Sequence, residues 1–252
     1  MALHVFETMG TVASLRYDDE RVAPPVLAQL EGVFRAADRT FSLYNADSEL
    51  SRLARQELTL PHSSEAVRDA YDLAVKWRNS TGGAFTPHRP DGVIDLSGIV
   101  KALAIEEAGA LLGGGSWLLN VGGDILSHSS APTAGAGQKD AWRVGIVDPG
   151  DRSALLCSLE LTNERRALAT SGTAERGEHV WRSDARQSFA QVSVVARDIV
   201  TADVLATAVL SGGPAALELA TSQFDVEVLT VDGAGGLLIT PWLRDAVSAG
   251  VR

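Results

Sequence analysis

The sequence predicts an α+β fold, on three observations. Segments with helical spacing of apolar residues and segments with strand-like alternation interleave along the whole chain. Several strand candidates follow one another across tight turns only, which suits antiparallel pairing and not the long crossovers of a doubly wound sheet. No linker-like stretch divides the 252 residues, and with 45% apolar side chains they can bury a large core without staples. The expected organisation is one domain over 1–252.

In chain order, loose alternation predicts a strand over 6–17. Pro24 and Pro25 open a helix, since proline suits a first turn, and Leu27, Leu30, Phe34 and Ala37 give it one apolar stripe. Asp47 or Ser48 can cap a short helix running through Leu53. Ser63 and Ser64 cap a longer one carrying Val67, Ala70, Tyr71, Ala74 and Trp77, which stops at Gly82 and Gly83. A short strand over 93–96 leads into a helix over 97–112, closed by three glycines. Two apolar runs around Gly122 and Gly123 predict a hairpin over 117–126. Residues 131–140 read as an exposed loop. Strands follow at 142–147, 155–161, 167–170 and 189–196, then helices at about 203–210 and 214–222. A last hairpin over 226–240 turns near Asp232 and Gly233.

Composition narrows the function classes. With 32 acidic against 22 basic side chains the net charge is −10, which disfavours a nucleic-acid partner held through phosphates. The single cysteine, Cys157, excludes an internal disulfide or a multi-cysteine metal site, and its apolar neighbours predict a small core residue. No uninterrupted apolar run reaches the roughly 18 residues that suggest a membrane span, and the first residues lack a basic, then apolar, leader pattern. A cytoplasmic protein is expected.

Candidate chemistry lies in a few short segments. Asp203 and Thr207 are four residues apart on a predicted helix, so their oxygens share one face. That pair suits a hard cation such as magnesium; equally, Asp203 can be a helix cap with Thr207 packed beside it. Asn120-Val121-Gly122-Gly123-Asp124 is either a tight turn or a place where backbone approaches a ligand. Asp95-Leu96-Ser97-Gly98-Ile99-Val100-Lys101 runs into a helix N-terminus. Lys101 there opposes the helix dipole, and reads as an anion contact or as an exposed lysine. Tyr44, in Phe41-Ser42-Leu43-Tyr44-Asn45-Ala46-Asp47, can stack on a ring system or be a half-buried structural tyrosine. Thr170-Ser171-Gly172 is followed by His179, which reads as a general base, a neighbour of an oxygen ligand, or a lone structural histidine.

The order of these segments is more specific than any one of them. Met9-Gly10-Thr11, Ser42-Leu43-Tyr44 with Ser48-Glu49-Leu50-Ser51-Arg52-Leu53, Gly83-Ala84-Phe85-Thr86-Pro87, the Asp95–Lys101 and Asn120–Asp124 stretches, Thr170-Ser171-Gly172, and Ala202-Asp203 with Thr207 occur in succession. This succession resembles the FAD:protein FMN transferases of the ApbE type over about residues 6–240. The resemblance implies a T-fold-like architecture of two intimately associated halves, with mixed or antiparallel sheets and packed helices, and FAD as substrate in a cleft. It implies magnesium-dependent transfer of FMN to a Thr or Ser hydroxyl of an acceptor flavoprotein, with release of AMP. Carried over by position, Asp203, Thr207 and a backbone carbonyl near Gly98 resemble the Mg2+ ligands. Gly122, Gly123 and Asp124, with Asn120, resemble the segment beside the adenine or ribose. Met9, Tyr44 and Asp47 match the flavin cleft, Lys101, Thr170 and Ser171 are further cofactor-binding positions, and His179 matches the histidine that assists transfer.

The chain also departs from that pattern. After His179 it reads Val180-Trp181-Arg182-Ser183-Asp184, in place of the family's Ile-x-Asp-Pro-x-Thr-Gly; Ala102 stands where glycine is common, and Ala54 where asparagine often ends the helix. An FAD diphosphatase, yielding FMN and AMP, and a non-catalytic flavin-binding paralogue are the alternative expectations.

Overall fold

The computed structural model describes residues 1–17, 22–130, 141–172 and 189–249, with Ser248 and Ala249 described by backbone alone. The predicted loop 131–140, His179 and the altered segment after it lie outside the described residues. The fold is α+β, and every strand pair is antiparallel.

Strands β1 (Ala2–Thr8) and β2 (Thr11–Tyr17) form a hairpin where one strand over 6–17 was expected, because the chain reverses at Met9 and Gly10. Then come helices α1 (Pro24–Phe41), α2 (Glu49–Ala54), α3 (Glu65–Ser80) and α4 (Ser97–Leu112). Ser48 caps α2 by accepting from the Ser51 amide at 3.0 Å, and Ser64 caps α3 by accepting from Val67. The expected strand over 93–96 is no strand: only an isolated bridge links Ile94 to His88. Strands β3 (Trp117–Val121), β4 (Asp124–His128), β5 (Trp142–Val147), β6 (Leu155–Leu161), β7 (Ala167–Gly172) and β8 (Phe189–Ala196) follow.

The two helices expected at about 203–210 and 214–222 are present, joined end to end as α5 (Ile199–Gln223). It kinks at Gly213, whose φ of 63° leaves the helical region just before Pro214. Strands β9 (Glu227–Asp232) and β10 (Leu237–Ile239) make the last hairpin, and α6 (Pro241–Ala246) and β11 (Ser248–Ala249) end the described chain.

The large sheet runs β1-β2-β3-β4-β7-β8-β9-β10, and β11-β6-β5 form a small one. Alternation decides which layer each strand residue joins. Leu119, Val121, Leu126, Ala169, Val192 and Val194 face α1, α4 and α5 in the main core. Leu118, Ile125, Leu168, Val195 and Leu229 face the small sheet, where Ile146, Leu159 and Cys157 complete a second core. Burial there pushes the Cys157 thiol pKa up, which keeps it protonated and unreactive. A third core joins α2, α3, α4 and α5 through Leu50, Ala74, Ile99 and Val204.

Helix α5 is long and apolar enough to cross a membrane by length and composition, yet 67% of its most apolar window is buried inside the fold. That is how the central helix of a packed core reads.

Candidate functional site

Antiparallel order brings several chain reversals to one end of the large sheet. The β1–β2 turn and the β3–β4 turn lie there side by side, because β2 pairs with β3. The β1–β2 turn is tight, with Met9 at φ 47° and Gly10 at 71°, the left-handed pair a two-residue hairpin requires. Met9 is partly buried between the main and third cores. A left-handed methionine is disfavoured, and packing holds it in place.

The β3–β4 turn has Gly122 at φ 60° and Gly123 at 95°. The Gly122 amide donates to the Val12 carbonyl at 3.2 Å, and a Cβ at this position would sit 2.7 Å from the Thr11 hydroxyl oxygen. Gly123, by contrast, has no atom within 4 Å of the same point. Asn120 closes the turn by accepting from the Gly123 amide at 3.0 Å through its Oδ1. The tight-turn reading of this segment is therefore realised, and Asn120 serves the turn.

Asp124 is fully buried, on the helix-facing side of β4. The β4–β7 ladder ends at Ile125 and Leu168, so the Thr170 amide needs another acceptor; Asp124 Oδ1 supplies it at 3.2 Å. The other oxygen, Oδ2, forms an ion pair with the ammonium of Lys101, the fifth residue of α4. Lys101 is only 13% exposed. This corrects the reading of Lys101 as an exposed lysine. Asp124, through its two oxygens, ties β4 to β7 and to α4.

Thr170 and Ser171 are split by the pleat. Thr170 Oγ1 bonds Ser193 Oγ at 2.8 Å on the face toward the small sheet. Ser171, buried, faces the helices, and its Oγ meets Thr207 Oγ1 at 3.3 Å. Thr207 is one helical turn after Asp203 on α5. Asp203 is 0% exposed. It is not the helix cap: Asp198 fills that position, accepting from the Thr201 amide at 2.8 Å, and Asp203 stands a turn further in. Gly98 lies in the first turn of α4 with the Phe85 ring against it, where a Cβ would come within 3.1 Å of Phe85 Cε2. Asp95 caps this end by accepting from the Ser97 amide at 2.9 Å.

Tyr44 and Asp47 sit on the loop before α2. Tyr44 is 86% exposed, not half-buried as the structural reading expected, and Asp47 is exposed too. The loop is anchored by Leu43, which packs on the same third core as Met9. Thr11, Phe85 and Ser193 complete the surroundings. Sequence reasoning passed over their roles because each acts through one contact set by strand register or by the loop before α4.

The family model for the ApbE family matches residues 88–230, more than half of the chain. The chain belongs to the ApbE family. The matched stretch carries Lys101, the Asn120–Asp124 turn, Ser171, Asp203 and Thr207; Met9, Tyr44 and Asp47 precede it. No curated protein sequence matches the chain. Among solved structures, an ApbE protein from Thermotoga maritima superposes with a TM-score of 0.79 at 17% identity, covering 97% of this chain and 98% of its own. A flavin transferase ApbE from Vibrio cholerae gives 0.73 at 18% identity over 97% and 98%. A flavinyl transferase ApbE from Pseudomonas stutzeri gives 0.73 at 17%, over 98% and 97%. These likenesses show the ApbE fold over 97–98% of the chain, well beyond the stretch the family model matches.

Proposed function

We propose that this chain transfers FMN from FAD to a Thr or Ser hydroxyl of an acceptor flavoprotein and releases AMP. The family and the solved flavin transferases that share the fold support the reading. The observation that carries it is the fully buried Asp203 one turn from Thr207, whose hydroxyl meets Ser171 at 3.3 Å. All three side chains offer oxygen, and among the described residues no group of three or more His, Cys, Asp or Glu forms a site for a softer metal. One carboxylate and neutral hydroxyls fit magnesium, whose shell is completed by phosphate oxygens and water. Asp203, Thr207 and the backbone near Gly98 would hold it. Bound there, magnesium would offset the charge of the diphosphate.

In the transfer, the acceptor oxygen attacks the phosphorus on the FMN side of FAD. An O–P bond forms, the anhydride bond to AMP breaks, and AMP leaves with the electron pair. The hydroxyl proton goes to a base, for which His179 is the candidate by position in the sequence. The exposed Tyr44 offers a ring face to the flavin, and the glycine turn offers backbone to the nucleotide.

The test incubates the purified protein with FAD, with and without magnesium and an acceptor domain presenting a surface threonine. AMP with flavin bound covalently to the acceptor is the expected result. AMP with free FMN would mean hydrolysis, and unchanged FAD a binding protein. Asp203→Ala is expected to abolish AMP release while circular dichroism stays unchanged, because the only carboxylate assigned to the metal is lost. Undiminished release by that variant would remove Asp203 from the metal site.

A further inference from the structure

Among the described residues, no ion pair other than Lys101–Asp124 has a partner at 0% exposure. We propose that Lys101 and Asp124 are a positioning pair: their ion pair ties the Gly122-Gly123 turn to the N-terminal end of α4, and so sets how these two lips hold the nucleotide, with neither charge touching it. The inference rests on the flavin-transfer reading of the site.

Four observations carry it. Asp124 spends one oxygen on the Thr170 amide and the other on Lys101. Lys101, the fifth residue of α4, is only 13% exposed, so its charge needs a partner there and Asp124 supplies it. The β4–β7 ladder stops at Ile125 and Leu168, so no strand pairing on that side holds the turn; the Asp124 side chain takes over. Finally the pair is neutral, leaving Asp203 as the charge assigned to the metal site. A buried pair of this kind contributes little net stability but fixes geometry, and losing one partner strands a charge. Small displacements of groups that orient a substrate cost turnover heavily.

The experiment compares Lys101→Met, Asp124→Asn and the double variant in the full chain. With FAD and magnesium, KM and kcat for AMP release are measured. Each single variant is expected to lower kcat by about ten- to a hundredfold with a small change in KM. The double variant should be no worse than the worse single, since both changes break one contact. If Lys101 instead touches phosphate, Lys101→Met raises KM, Asp124→Asn does not, and the losses multiply; that pattern overturns the proposal. A second arm needs no flavin. Amide exchange at Thr170 and Gly123 should quicken in Lys101→Met as in Asp124→Asn, and unchanged protection at both amides in Lys101→Met would overturn the pair even where the parent turns over no FAD. Should a single variant fail to fold, the double, which buries no lone charge, decides. Lowered kcat with KM kept supports positioning, and a raised KM with kcat kept refutes it.

Discussion

Gly122 and Gly123 share a turn and a left-handed backbone, but only Gly122 is crowded. Alanine at either position pays the left-handed cost of about 1–2 kcal/mol. At Gly122 the new methyl also meets the Thr11 side chain at 2.7 Å, whereas at Gly123 it meets nothing within 4 Å. Gly122→Ala is therefore expected to destabilise the protein by about 1 kcal/mol or more beyond Gly123→Ala in urea unfolding. Thr11→Gly, by clearing the space, should shrink that difference. Equal losses in the two variants would show that Thr11 yields freely. The type of turn was legible from its two glycines. The partners were not, because they depend on which strand lies alongside: Thr11 reaches Gly122 through the β2–β3 register, and Thr170 parts from Ser171 because β7 is pleated there. Lys101 is the clearest case. Its place near a helix N-terminus was visible in the sequence, but its partner, Asp124, is 23 residues away across a strand and a turn.

Whole elements were easiest to read where local chemistry marks their ends. Pro24 and Pro25, Ser48 and Ser64 open three helices at the expected places. The β1–β2 hairpin escaped notice because its first turn residue is Met9, a side chain that carries no turn signal, held at positive φ by two cores. By contrast, the break between the two helical arms of α5 was legible, since Gly213-Pro214 marks it in the sequence and Gly213 leaves the helical region there. The packing of α4 on the large sheet rests on Gly109, where an added Cβ would lie 2.9 Å from both Leu126 Cδ2 and the Trp117 ring. A helix can approach a sheet this closely only over a glycine. Gly109→Val should cost about 1–3 kcal/mol or more through overpacking, against a gain of under ~1 kcal/mol from removing a helical glycine. Since α4 carries Lys101 and Gly98 at its other end, the same variant should also weaken FAD turnover by tilting the helix. A stable, fully active Gly109→Val would show that α4 can rise off the sheet without moving the site.

At the scale of the molecule, the candidate site is assembled from residues far apart in sequence: Met9 on the first hairpin, Lys101 on α4, Asp124 on β4, Ser171 on β7 and Asp203 with Thr207 on α5. The large sheet and its three covering helices are what bring them together, so unfolding separates every one of them. A ligand held by this group binds the folded chain and not the unfolded one, and must stabilise the whole fold by mass action. FAD with magnesium at ~100 times its dissociation constant should raise the unfolding free energy by roughly 2.7 kcal/mol. For a chain of this length each kcal/mol moves the midpoint by about 2–4 °C, so a shift of about 5–10 °C is expected in a thermal melt. The shift should shrink when magnesium is withheld, and shrink as well in Asp203→Ala, because the carboxylate and the diphosphate hold the cation jointly. AMP alone should give less, having no flavin to lie beside Tyr44. A melt that does not respond to FAD at any concentration would break the link between the shared fold and a flavin substrate, leaving the ApbE architecture in place with a different ligand to find.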